Sequence, residues 1–155
     1  MVCKSNVILL RQSLAKALFM GLAGLLTIPA ADGCSITERW RGARASEGFS
    51  VNFYDPGADR WRQIWVSAGS IIEISGSLQG GSMVPEGEIR YRQPPESAEQ
   101  ISAGPVRPFR GRWTPMPDGR ARQFFEELIT DNNGEEGGEE KWQPWFEGFY
   151  AKAVE

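Results

Sequence analysis

The chain of 155 residues contains no histidine and only two cysteines, Cys3 and Cys34. Without histidine there is no Ser-His-Asp triad, no Cys-His pair, no His-ligated haem and no His-containing zinc site. Two thiols are also too few for a thiolate metal cage within one chain. No cofactor and no metal are expected. Neither sign of charge is in large excess, at 17 basic against 20 acidic residues, so nucleic acid is not an expected partner. The glycines of Gly76-Ser-Leu-Gln-Gly80-Gly81 lack the lysine and following helix of a phosphate loop. The acidic segment Asp131–Glu140 fails the calcium-loop template, because starting it at Asp131 puts glycine at the fourth position instead of the sixth. What remains is a chain rich in aromatics, 11% with six Trp, and long enough for one core.

Composition divides the chain near residue 33. Lys4, Arg11 and Lys16 precede an uncharged, mostly apolar run from Ala17 to Ile28, followed by Pro29-Ala30-Ala31. A basic start, a short apolar run and small residues after it describe a secretory signal. The run is too short for the about 20 apolar residues that span a bilayer. Residues 1–33 therefore read as an apolar leader, either a signal peptide or a helical N-terminal segment, with residues 34–155 as the domain. Export to the periplasm is the expectation for a cleaved leader and a cytoplasmic location otherwise. Contact with a membrane is expected only through an uncleaved leader. Ala31-Asp32-Gly33-Cys34 matches a lipidation box only loosely, having Ala where Leu is wanted.

From Cys34 onward the hydrophobic period is two, interrupted by turn residues at short intervals. Cys34–Arg41, Phe49–Asp55, Arg60–Ser67, Ser70–Ser77 and Ser82–Arg92 read as strands, the last as an edge or bulged one because of Pro85. Residues 93–107 hold three prolines and read as a loop. Pro108–Met116 and Arg120–Thr130 flank Pro117-Asp118-Gly119, a hairpin signal. Lys141–Val154 supplies a last strand. The fold class predicted is all-β, an antiparallel up-and-down meander that makes a small barrel.

Three segments carry a resemblance: Cys34-Ser-Ile-Thr-Glu-Arg-Trp40, Ser50-Val-Asn-Phe-Tyr-Asp-Pro56 and Arg60-Trp-Arg-Gln-Ile-Trp65-Val. Together with Gly87-Glu88, Arg112 to Gln123 and the run Trp142 to Tyr150, they resemble a bacterial lipocalin-like (calycin) family of unknown function. The resemblance spans about residues 34–153 and implies a small antiparallel β-barrel with no established catalytic activity. The family's first strands, with their Trp-x-Gly-x-Trp segment, have no counterpart, and the Leu-rich leader joins directly to Gly33-Cys34. The expected barrel is thus incomplete, with the leader's helix covering the gap or an edge strand left exposed. The lack of histidine separates the chain from haem-binding barrels of the nitrobindin type.

Alternation puts Glu38 on one strand face with Trp40, and Gln63 with Trp65. Asn52, Glu73, Arg112 and Gln123 occupy alternate positions that also suit an inward face. A slip of one residue reverses every such assignment. The functional reading is a cavity lined by Trp40, Trp65 and Trp113, with Glu38, Gln63 and Gln123 as hydrogen-bonding anchors for a small apolar or amphipathic ligand. The competing reading makes the Trp residues core and leaves the polar ones to water or to one another. Glu126 and Glu127, beside Phe124-Phe125 and Arg122, read as a cross-strand ionic face. The arginines, numerous near aromatics, suit an anionic ligand or a cover for apolar barrel surface. Noncatalytic ligand binding is the function expected; the alternative is a structural or protein-interaction module, homo-oligomeric through an exposed edge.

Overall fold

A strand with apolar residues at every second position has one face that must be kept from water, and eight such strands in succession must share that dry side. The computed structural model describes residues 15–17, 24–42, 46–92, 103–131 and 138–152. Within them β1 is Ala15–Ala17, β2 Gly24–Ala30, β3 Ser35–Arg41, β4 Glu47–Asp55 and β5 Arg60–Ser67. β6 is Ser70–Gln79, β7 Ser82–Arg92, β8 Ala103–Pro115, β9 Ala121–Asp131 and β10 Glu139–Lys152. A single 3-10 turn, Ala31–Gly33, joins β2 to β3. Every pairing is antiparallel, and β3 to β10 neighbour one another in chain order, with β2 beyond β3 and β1 beyond β10. The chain is all-β among the described residues, as its period predicts.

The sheet is curled, and the side chains prove it. Trp40 of β3 stands 6.3 Å from Phe146 of β10, ring planes at 89°, although six strands lie between them in the sheet order. Only a sheet that turns back on itself brings those rings together. The concave side holds Ile72, Ile74, Ile89, Phe109 and Phe125 in one buried cluster, with Trp65, Tyr91, Trp113, Trp145 and Phe146 packed against it. Ile89 and Phe109 are 0% and 1% exposed. Each buried side chain of this kind contributes about 1.5–3 kcal/mol. The described ends of the sheet order, β1 and β2, also approach one another without pairing.

Two strands depart from the simple reading. Pro85 sits in β7, a central strand between β6 and β8, and is buried, so of the edge or bulged strand expected the edge is corrected, while the register with β8 does shift between Arg90 and Arg92. The ladder to β8 pairs Met83 with Trp113 and Glu86 with Arg110, and records no pair at Val84 or Pro85. The missing N–H of the proline therefore falls where no ladder bond is made. In β10 the register slips between Pro144 and Phe146, which makes Trp145 the extra residue of a bulge. Trp145 and Phe146, adjacent in sequence, consequently both reach the core.

The N-terminal expectations fall mainly outside the described residues. The parts of residues 1–33 that are described are strand or 3-10 turn, Gly24–Ala30 pairing with β3 and Ala15–Ala17 with β10. Cys34, half-buried just before β3, is disulfide-bonded. β8 begins at Ala103, inside the stretch expected to be loop.

β6 and β7 approach one another closely at two glycines. A Cβ placed on Gly87 would run into the Glu73 carbonyl oxygen and one on Gly76 into the Val84 carbonyl oxygen, both backbone atoms. These strands cross so closely that only glycine fits. Gly87→Ala is expected to cost about 1–3 kcal/mol, whereas Gly69→Ala, with open space around it, should leave the melting temperature nearly unchanged. Equal melting temperatures for the two variants would argue against this close approach.

Candidate functional site

The concave face carries a polar group of four side chains on three neighbouring strands. Glu38 of β3 pairs in register with Ser50 of β4, and Asn52 of β4 with Gln63 of β5. Ser50, 0% exposed, is small enough for side chains from β3 and β5 to meet over it. Its hydroxyl donates to Glu38 Oε2 and accepts from Asn52 Nδ2 at 3.1 Å and Gln63 Nε2 at 3.3 Å. Gln63 Nε2 also donates to Glu38 Oε2 at 3.0 Å. The hydroxyl thus uses its one proton and both lone pairs. Oε1 of Glu38 receives no hydrogen bond from the described residues.

Aromatic rings stand around this group. Trp40 lies two residues from Glu38 on the same face, and Trp65 pairs in register with Ser50. Their rings are 6.1 Å apart at 62°. The Trp65 indole covers Gly48, leaving no room for a side chain there, so the glycine of β4 is what lets the indole lie flat against the sheet. Its Nε1 is buried and has no hydrogen-bond partner among the described residues. Tyr150, buried and packed against Trp40 and Phe146, adds a phenol whose pKa burial pushes up, with the nearby Glu38 adding to the effect.

A second polar group sits elsewhere on the concave side. Arg107 Nη1 and the Tyr91 hydroxyl both donate to Glu127 Oε2, at 3.1 and 2.7 Å, and Trp145 Nε1 donates to the Tyr91 oxygen at 3.2 Å. Arg107 also lies over the Tyr91 ring, 5.5 Å from its centre. Burial, then the hydrogen bond to Glu127, pushes the Tyr91 phenol up to about 12. This group is internally matched, cation to carboxylate. Tyr91 and Trp145 carry no sequence signal for it, since Trp145 points inward only because of the β10 bulge.

Of the residues expected to line a cavity, Glu38, Gln63, Trp40 and Trp65 come together as described. Trp113 and Gln123 do not join them. They pair with each other across β8 and β9, and Trp113 packs on Phe125 at 5.0 Å and against the Trp61 and Met83 pair. Gln123 is buried there. Asn52 is inward, but Glu73 and Arg112 are not. Glu73 lies between the buried Ile72 and Ile74, so the pleat turns it outward, where it pairs with Arg90; Arg112 is exposed.

The outer face explains the arginines. Arg62 lies over Phe53, Arg110 over Trp142 and Arg122 over Phe124, at 5.7, 4.0 and 4.7 Å. The same three pair with Asp55, Glu126 and Glu147. Arg122 therefore meets Glu147 and not Glu126 four residues on. These guanidinium groups cover outward aromatics and neutralise neighbouring acids. A groove of about 350 Å³ also opens across β5, β6 and β7, lined by Arg62, Ile64, Glu73, Ser75, Glu86 and Glu88 among others. Among the described residues no group of three or more acids or thiols is arranged to hold a metal, and no helix is long and apolar enough to cross a membrane.

Comparison with known proteins found no matching family model, no matching curated protein and no matching solved structure.

All three tyrosines of the chain, Tyr54, Tyr91 and Tyr150, have phenols raised above the ordinary value of 10, Tyr54 through its hydrogen bond to Asp59. A phenol with a raised folded pKa adds stability that is whole below pH 10 and lost as pH climbs through the folded value. At about pH 10.5 the folded protein should show little phenolate absorbance while the denatured chain shows much. Stability should begin to fall above pH 10, on towards about 12 for Tyr91. Ordinary titration of all three phenols in the folded protein would contradict the burial described.

Proposed function

We propose that the concave face binds a small apolar or amphipathic molecule, without catalysis, in an incomplete barrel of lipocalin-like type. The observation that carries this reading is the Trp65 indole N–H, buried and without a partner among the described residues. Leaving such a donor unmatched costs about 1–3 kcal/mol. A ligand oxygen placed against it recovers that cost. The surroundings support the same reading: apolar walls with a few placed polar groups are the ordinary make-up of a small-molecule site. Glu38 and Gln63 supply those polar groups, and Trp40 and Trp65 the walls.

Titration with decanol, followed by intrinsic Trp fluorescence, tests the reading. One saturable site is expected. Trp65→Phe removes the donor and should weaken decanol about tenfold, the equivalent of one lost hydrogen bond. The same variant should leave N-phenyl-1-naphthylamine, which has no oxygen to accept from the indole, nearly unaffected. Unsaturable binding of both compounds would count against the site.

A second reading, a protein-interaction module, draws on the outer face. Phe49, Val66, Ile71, Arg90 and Val106 follow one another in register across β4 to β8, and the four apolar members are 40–52% exposed. An apolar row of this kind is a known mark of association. On this reading the protein sediments as a dimer or larger, and Val66→Asp returns it to monomer. A monomer at all concentrations would remove the second reading and leave the first.

A further inference from the structure

Resting on the ligand-binding reading above, we propose that the site selects an organic cation: an alkylammonium group seated against the Glu38 carboxylate and walled by the Trp40 and Trp65 rings. Three observations lead there. First, the ion pairs among the described residues pair their arginines with Glu47, Asp55, Glu73, Glu88, Asp118, Glu126, Glu127 and Glu147, and none of them reaches Glu38. On the concave side the comparison is direct, since Glu127 has Arg107 and Glu38 has only neutral donors, Ser50 and Gln63. Second, both of those bonds go to Oε2, and Oε1 receives none from the described residues. A carboxylate oxygen inside a curled sheet, held in position by its twin and offered no cation by the described residues, is complementary to a positive charge.

Third, the walls are aromatic and steeply inclined to one another. Trp65 stands at 62° to Trp40 and Phe146 at 89° to it, with centroid distances of 6.1 and 6.3 Å. Rings in edge-to-face contact leave a corner between them, and the faces not covered by a neighbour's edge present the negative part of the ring quadrupole. Ammonium and methylated ammonium groups bind against such faces because their charge is diffuse and their methyl groups are apolar. The half-buried Trp145 and Phe146, packed on the apolar cluster of the same concave side, suit an alkyl chain behind the head group. An oxygen near the nitrogen would in addition satisfy Trp65 Nε1.

Calorimetric titration of the full chain with decyltrimethylammonium, decanol and decyl sulfate, each below its micelle concentration, tests the proposal. One site is expected, with the cation bound at least about tenfold more tightly than decanol and the sulfate weakest, a tenfold ratio being about 1.4 kcal/mol. Raising the salt from about 20 to 500 mM should weaken the cation and leave decanol nearly alone. Glu38→Gln should erase the preference while decanol still binds. The salt series needs no variant, so it decides the matter even where Glu38→Gln fails to fold. Equal affinity for the three compounds, or a preference for the sulfate, overturns the cation assignment and leaves the binding reading standing. Absence of saturable binding by all three overturns both.

Discussion

The rest of the structure depends on where the apolar side of a long antiparallel sheet can go. With no helix among the described residues to cover it, that side is buried against itself, and the chain curls until β3 faces β10. Trp40 against Phe146 and Tyr150 is the contact that makes the turn complete enough to matter. The curvature in turn demands glycine where strands cross most closely, at Gly76 and Gly87, and a bulge at Trp145 where the last strand must re-aim its rings. These are consequences of one requirement, the removal of period-two apolar faces from water.

The polar group around Glu38 holds a half-buried carboxylate within the same curl. A carboxylate in an interior has to be held by hydrogen bonds or by a cation. Here Ser50 and Gln63 do the holding, with Asn52 bonded to Ser50, and small residues on β4 make their convergence possible: Ser50 under the Glu38–Gln63 bridge, Gly48 under the Trp65 ring. The contrast with the Glu127 group is informative. There, carboxylate, guanidinium and phenol close on one another and leave little chemistry to offer. Around Glu38 the network closes on one oxygen only, and Trp65 Nε1 has no partner among the described residues. An interior that satisfies one station fully and another in part has a natural place for a ligand.

Much of this was legible in the residues. The alternation of Ile36, Glu38 and Trp40, of Trp61, Gln63 and Trp65, and of Ile72 and Ile74 predicts strands whose inward members are the ones now buried or half-buried. The Asp118-Gly119 hairpin is where the dipeptide puts it. What alternation cannot carry is a break in its own period. Trp145 and Phe146 read as opposite faces until the bulge brings both inward, and with them the Tyr91–Glu127 group. Pro85 reads as an edge residue because its cost is local: it vanishes where two positions of the ladder to β8 are unpaired. The grouping of Trp113 with Trp40 and Trp65 fails for a different reason, since sharing a face says nothing about distance along it.

The central claim is the curl that brings β3 and β10 into contact across the concave face. Nuclear Overhauser contacts between the Trp40 indole and the Phe146 ring protons test it most directly. Strong cross-peaks are expected for rings whose centres are 6.3 Å apart with edges turned to faces. Cross-peaks confined to ladder neighbours, with none joining β3 to β10, would mean an open sheet and would contradict the interior described above.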